Sequence, residues 1–94
     1  MGSFYCYLLE CADGTIYCGW TVDLNHRLKV HQAGNGSKYT RARRPVRLVY
    51  FEEFESRSDA MEREHKLKKA GRKAKLKLAA GFPPDRISDM LTGN

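Results

Sequence analysis

An α+β domain is what this sequence predicts: a three-stranded, mainly antiparallel sheet, built from an N-terminal hairpin plus a third strand and packed with three to four helices. Three observations lead there. Residues Phe4 to Trp20 are rich in Tyr, Cys, Leu and Ile and are broken once by Ala12-Asp13-Gly14, a hairpin signal. Pro45 to Phe54 is a second β-rich run, apolar on both faces, as in a sheet covered on two sides. The remaining segments space apolar residues three and four apart and end on glycines. A chain of 94 residues is one domain's worth. A domain of this size buries about 60–65% of its unfolded surface, so it carries one modest core and one site. The domain is placed at 1–82 and a C-terminal tail at 83–94.

The hairpin comes first. Asp-Gly alone would suggest a two-residue turn, but the faces favour a three-residue loop with Gly14 in the left-handed conformation. That register pairs Cys11 with Thr15, Leu9 with Tyr17 and Tyr7 with Gly19. It collects Cys6, Leu8, Ile16, Cys18 and Trp20 on one face and Tyr5, Tyr7, Leu9, Tyr17 and Gly19 on the other. Sliding by one residue would separate Tyr7 from Tyr17. A helix follows from Asp23 to Ala33, with Thr21 or Asp23 near its N-cap and Gly34 closing it. Leu24, Leu28 and His31 fall on one stripe with Arg27 beside it. Residues Gly34 to Thr40 read as a loop. In the third strand, strict alternation puts Val46, Leu48 and Tyr50 on one face and Val49 and Phe51 on the other. Ser58 or Asp59 caps a second helix that reaches about Ala70, and Gly71 breaks it. Arg72 to Ala80 forms a third helix, stopped by Gly81 and Pro83-Pro84. The tail is expected to add one short helical turn and fray.

Composition sets the class of partner. Seventeen Lys and Arg against 11 Asp and Glu give a formal charge of +6, which favours polyanions. From Leu24 to Phe51 there are seven basic residues and no acidic one; from Arg63 to Lys77 there are eight against the single Glu64. The first block holds Lys38, Tyr39, Arg41, Arg43 and Arg44, cations with an aromatic among them, as a surface that tracks phosphates needs. No apolar run approaches the length of about 18 residues that reads as a membrane span, and no signal peptide opens the chain. Three cysteines, Cys6, Cys11 and Cys18, do not make an even disulfide framework, so they are read as reduced and the protein as cytoplasmic; no membrane partner is expected, and the oligomeric state is left open with a monomer as the expectation.

Some polar residues sit where a core is expected. Glu64 lies on the stripe of Ala60, Met61 and Leu67 and should pair with Arg27 or Arg63, bind a metal or stay protonated. Arg27 and His31 stand one turn apart beside Leu24 and Leu28. Gly19 opposite Tyr7 leaves room for another group to approach the tyrosine.

Two tyrosines on a hairpin, an Arg and a His one turn apart and a lone carboxylate on a later helix together resemble the GIY-YIG nuclease superfamily. The likeness covers roughly Phe4 to Lys69. Tyr5-Cys6-Tyr7 keeps only the final Tyr of the first triplet, and Tyr17-Cys18-Gly19 keeps Tyr and Gly of the second. Nine residues separate the two matching tyrosines. Asp23-Leu24-Asn25-His26-Arg27-Leu28 fits the helix of the catalytic Arg, His31 fits a position that is commonly His or Tyr, and Glu64 fits the metal-binding Glu. Gly36-Ser37-Lys38-Tyr39-Thr40-Arg41 and the Arg-Arg-Pro after it resemble the small stand-alone, single-domain bacterial branch. Leu76 stands where many members carry an Asn.

The resemblance implies a metal-dependent endonuclease that hydrolyses phosphodiesters in DNA, RNA being a further candidate, with structure preference and a link to repair or recombination. It implies one Mg²⁺ or Mn²⁺ on Glu64, the scissile phosphate held by Arg27, water activated by Tyr7 and oriented by Tyr17, and His31 supporting that network. The alternative is a nucleic-acid-binding module that keeps the nuclease fold without cutting.

Overall fold

The computed structural model describes residues 2–92. Strands β1 (Phe4–Glu10), β2 (Ile16–Thr21) and β3 (Arg47–Phe54) form one sheet in the order β2-β1-β3, with both pairings antiparallel. Helices are α1 (Leu24–Gln32), α2 (Lys38–Arg41), α3 (Arg57–Lys69), α4 (Arg72–Ala80) and α5 (Pro84–Thr92). The α+β architecture is as the sequence predicts, with five helices among the described residues in place of three or four.

The hairpin adopts the expected register, Leu9 opposite Tyr17 and Tyr7 opposite Gly19. Gly14 turns at φ +85°, a conformation that costs glycine little. Cys11 N–H donates to Thr15 O at 2.9 Å, and the Asp13 carboxylate accepts from Thr15 N–H and Oγ1 at 3.1 and 2.6 Å. The loop is thus fixed by its own side chain, an Asx-type closure.

Each sheet face has its own core. On one side Tyr7, Leu9 and Cys11 pack with Leu24 of α1, with Val46, Leu48 and Phe51, and with Ile87, Met90 and Leu91 of α5. On the other, Cys6, Leu8 and Cys18 pack with Leu67 of α3 and Leu78 of α4. All three cysteines are free thiols and buried. Burial of this kind is the main favourable term in folding, at about 25 cal/mol per Å² of apolar surface.

Several expectations are corrected. In β3 the partner of Leu8 is Tyr50 and the partner of Leu9 is Leu48, so Val49 is an extra residue, a β-bulge. The bulge breaks strict alternation: Phe51 joins Val46 and Leu48, while Tyr50 joins Val49 on the other face. The cap of α3 is Ser56, whose side chain accepts from Asp59 N–H, and neither Ser58 nor Asp59 holds that place. Met61 is exposed on α3 and takes no part in the core stripe. Part of the expected loop Gly34 to Thr40 turns into α2, capped by Ser37. The tail expected to fray runs as α5 and is pinned to α1, where Asn25 Nδ2 donates to Met90 O at 2.7 Å. Residues 93 and 94 of that tail lie outside the described residues.

Candidate active site

Tyr7 projects from the middle strand and is nearly fully buried. Its hydroxyl lies 3.0 Å from His31 Nε2. It can occupy this place because Gly19 opposite has no side chain: a Cβ there would sit 2.6 Å from Tyr7 Oη and 2.8 Å from Cζ. Tyr17 stands beside it, its ring centroid 5.1 Å from that of His31 and 6.5 Å from that of Tyr7. The sequence-level pairing of Tyr7 with Gly19 therefore creates the clearance that the tyrosine fills.

His31 is held by the end of α1. Asp23 caps the helix start, accepting from His26 N–H at 3.0 Å, and Gly34 ends it at φ +87°. The chain then doubles back through Gly36, which lies against the imidazole so closely that a Cβ would come within 2.2 Å of Nδ1. Ser37 begins α2 by accepting from Thr40 N–H at 3.1 Å. The Thr40 hydroxyl, fully buried, reaches His31 Nδ1 at 2.8 Å. In the sequence Gly36, Ser37 and Thr40 stand out only as part of the segment Gly36 to Arg41 that carries the family resemblance, with no role in the site. The signal was present: Ser37 ahead of Lys38-Tyr39-Thr40 is an N-cap pattern, hidden by the loop-like glycines around it.

The predicted surface residues divide in two. Lys38 and Arg41 are exposed on α2. Tyr39 stacks on Tyr17, centroids 6.1 Å apart at 29°, and Arg43 lies 3.8 Å from the Tyr39 ring centre. Arg43 also binds Asp13 at 2.9 Å and donates to Tyr39 O at 3.0 Å. Arg44 donates to Gln32 O and Arg41 O, both at 3.1 Å, serving a carbonyl at the end of α1.

Electrostatics give the site its character. Burial pushes the Tyr7 hydroxyl well above the ordinary tyrosine range, Tyr17 adds to this, and Arg27 pulls the other way. His31 is driven below its ordinary value by burial and then by Arg27, so it is neutral at pH 7. Arg27 is half-buried on α1 and makes no ion pair with the described residues. Its charge reaches both Tyr7 and His31.

Glu64 sits on α3, the helix over the opposite sheet face, and its charge still acts on Tyr7. The Cys18 thiol donates to Glu64 O at 3.8 Å, fixing α3 against β2. The expected partners are replaced: Arg63 binds Glu52 at 2.9 Å, and Glu64 faces Lys68 at 3.4 Å. Among the described residues no three His, Cys, Asp or Glu side chains cluster for a metal. A single carboxylate nevertheless suits Mg²⁺, which keeps several waters and takes phosphate oxygens as further ligands.

Comparison with known proteins gives a consistent picture. Residues 3–77 match the family model described as the GIY-YIG catalytic domain. A UPF0213 protein of Pediococcus pentosaceus is 48% identical over 82% of this chain and 81% of its own length. One from Streptococcus sanguinis is 57% identical over 77% of this chain and 83% of its own. The solution NMR structure of a UPF0213 protein from Bacillus halodurans superposes with a TM-score of 0.57 at 40% identity, covering 96% of this chain and 97% of that one. No helix among the described residues is long and apolar enough to cross a membrane.

Proposed function

Because this chain belongs to the GIY-YIG catalytic-domain family, we propose that it is a divalent-metal-dependent phosphodiesterase acting on DNA in the cytoplasm and favouring branched or interrupted substrates. One observation carries this reading: a buried tyrosine hydroxyl hydrogen-bonded to a neutral histidine, with the charge of Arg27 acting on both.

Hydrolysis needs a base for water, a clamp for the phosphate and stabilisation of the charge that develops. Tyr7 rests as a phenol, since burial disfavours the phenolate. A stored phenolate is therefore not the base. Instead, Tyr7 Oη takes a proton from the attacking water while its own proton passes to His31 Nε2, 3.0 Å away. The hydroxide so formed attacks phosphorus and the bond to the leaving oxygen breaks. Tyr17 orients the water beside Tyr7. Arg27 grips two phosphate oxygens with its fork. When bound at Glu64, a Mg²⁺ or Mn²⁺ ion would supply positive charge for the phosphate and the departing oxygen. The exposed cations of α2, α3 and α4 track the neighbouring backbone.

The second reading, a binding module without cleavage, draws on the Glu64–Lys68 pair, since an ammonium already neutralises the carboxylate. One experiment decides. Flap, forked, nicked and plain DNA and RNA are incubated with wild type or Tyr7→Phe in Mg²⁺ or Mn²⁺. Metal-dependent cutting that disappears in the variant supports the enzyme. Absence of cutting on every substrate, with no ion binding that depends on Glu64, leaves the binding module.

A further inference from the structure

We propose that Thr40 is a positioning residue, its hydroxyl holding His31 in the tautomer that carries the proton on Nδ1 and turns the Nε2 lone pair toward Tyr7. The assignment of a use to that lone pair rests on the function proposed above; the tautomer itself does not.

Proton counting leads to it. Thr40 Oγ1 has three polar neighbours: His31 Nδ1 at 2.8 Å, Ser37 Oγ at 3.0 Å and Ser37 O at 3.4 Å. A hydroxyl has one proton to give and two lone pairs to offer. The Ser37 carbonyl can only accept, so the Thr40 proton goes there. Ser37 Oγ already accepts the Thr40 N–H at 3.1 Å, which leaves its own proton free for Thr40 Oγ1. The remaining lone pair of Thr40 then receives the His31 Nδ1–H. Nε2 is left unprotonated, and the Tyr7 O–H donates to it. Every donor in the set then has an acceptor, and Ser37 O also receives the Arg41 N–H at 3.0 Å.

The opposite tautomer leaves a gap at the other end of the ring. Thr40 would give its proton to Nδ1, and Ser37 O would keep only the Arg41 N–H at 3.0 Å. Nε2–H would donate to Tyr7 Oη, and the Tyr7 proton would have no acceptor among the described residues in a place that is 3% exposed. A buried donor without a partner is costly. Gly36 adds rigidity, since its bare backbone closes on Nδ1 and keeps the ring from turning away. Which nitrogen of a histidine carries the proton is commonly set by the bond the other one makes. Here that bond is to Thr40.

The test reads the tautomer directly. Imidazole ¹⁵N spectra of wild type, Thr40→Val and Thr40→Ser are recorded at about pH 8, above the usual histidine range, without metal or nucleic acid. Wild type and Thr40→Ser should show a protonated Nδ1 and an unprotonated Nε2. Thr40→Val, which removes only the hydroxyl, should move His31 toward the Nε2–H form or a rapid mixture. A wild-type spectrum with the proton on Nε2 overturns the proposal, and so does an unchanged spectrum in Thr40→Val. Should Thr40→Val not fold, the wild-type and Thr40→Ser spectra still decide. Where cleavage is measurable, Thr40→Val should lower kcat by about 10–100-fold, the range for groups that orient a functional histidine, with KM unchanged and Thr40→Ser restoring the rate. The expected tautomer in a protein that cuts nothing would refute the nuclease reading while leaving the role of Thr40 intact.

Discussion

Replacing Glu64 by Gln keeps the shape of the side chain and removes its charge, so it asks what that charge is for. The structural cost follows from its surroundings. Its ion-pair partner is Lys68, one helical turn away at 3.4 Å, with a side chain 55% exposed. Pairs of this kind are worth about 0.3–0.5 kcal/mol. For a domain of this size that corresponds to a melting shift of about 1–4 °C. Had Glu64 been the buried partner of Arg27, breaking the pair would have cost about 3–5 kcal/mol. The catalytic cost should be far larger, a loss of cleavage of about 100-fold or more, the scale of removing one preorganised electrostatic group. Three measurements on one preparation separate these effects: a thermal melt, a cleavage rate against Mg²⁺ concentration, and DNA affinity in EDTA. The expected outcome is a nearly unchanged melt, strongly reduced cutting and DNA affinity equal to or above wild type. Wild-type cutting by Glu64→Gln in Mg²⁺ would refute the metal assignment.

Gly19→Ala should push the Tyr7 ring out of place, because the new Cβ would lie 2.6 Å from its hydroxyl oxygen; destabilisation of about 1–3 kcal/mol by overpacking is read from denaturant melts, and a neutral result would mean that the clearance is unimportant. Cleavage should fall on acidification, with its midpoint below the ordinary histidine value of 6.5, because His31 is depressed and its protonated form cannot accept from Tyr7. The same shift makes the unfolded chain take up the proton first, so this contribution to stability is complete above pH 6.5 and is lost as pH falls through the folded pKa; activity or stability that rises on acidification would contradict it. Lys38→Ala/Arg41→Ala should weaken DNA binding irrespective of sequence and flatten the salt dependence by about 1–2 in log K against log[salt], at about 0.9 for each phosphate that is no longer neutralised; an unchanged slope would remove α2 from the interface.

The hairpin was legible because two independent constraints agreed on it. Gly14 marks the left-handed position, and only a three-residue loop sorts Cys6, Leu8 and Cys18 from Tyr7 and Tyr17. The Tyr7–Gly19 pairing and the placing of Arg27 and His31 on one helix came from the same kind of periodicity. The bulge at Val49 was not legible, because Leu48, Val49, Tyr50 and Phe51 are all apolar and carry no polar marker of the extra residue. Ser56 was missed as a cap because Ser58 and Asp59 offer the same chemistry two and three residues later. Pro83-Pro84 reads as a stop, yet Pro84 is the first residue of α5, where a missing N–H costs nothing. The hydrogen bond of Thr40 to His31 depends on a chain reversal that no local pattern encodes.

The bulge in β3 imposes a rule of parity on that strand. Beyond Val49, odd and even positions exchange faces, so that one aromatic, Tyr50, serves the core under α3 and α4 and the next, Phe51, serves the core under α1 and α5. Phe82 closes the seam at the sheet edge, its ring 5.1 Å from Tyr50 and 5.0 Å from Phe51. Deleting Val49 would restore strict alternation and leave both aromatics in their own cores, with Leu48 still opposite Leu9 and Tyr50 still opposite Leu8. Removing a second residue would turn one half of the strand over against the other, leaving Phe82 with the wrong neighbours or Val46 and Leu48 on the wrong face. The strand can therefore lose one residue, at Val49, and further drift in length between α2 and α3 is channelled into the loops before Arg47 and after Phe54.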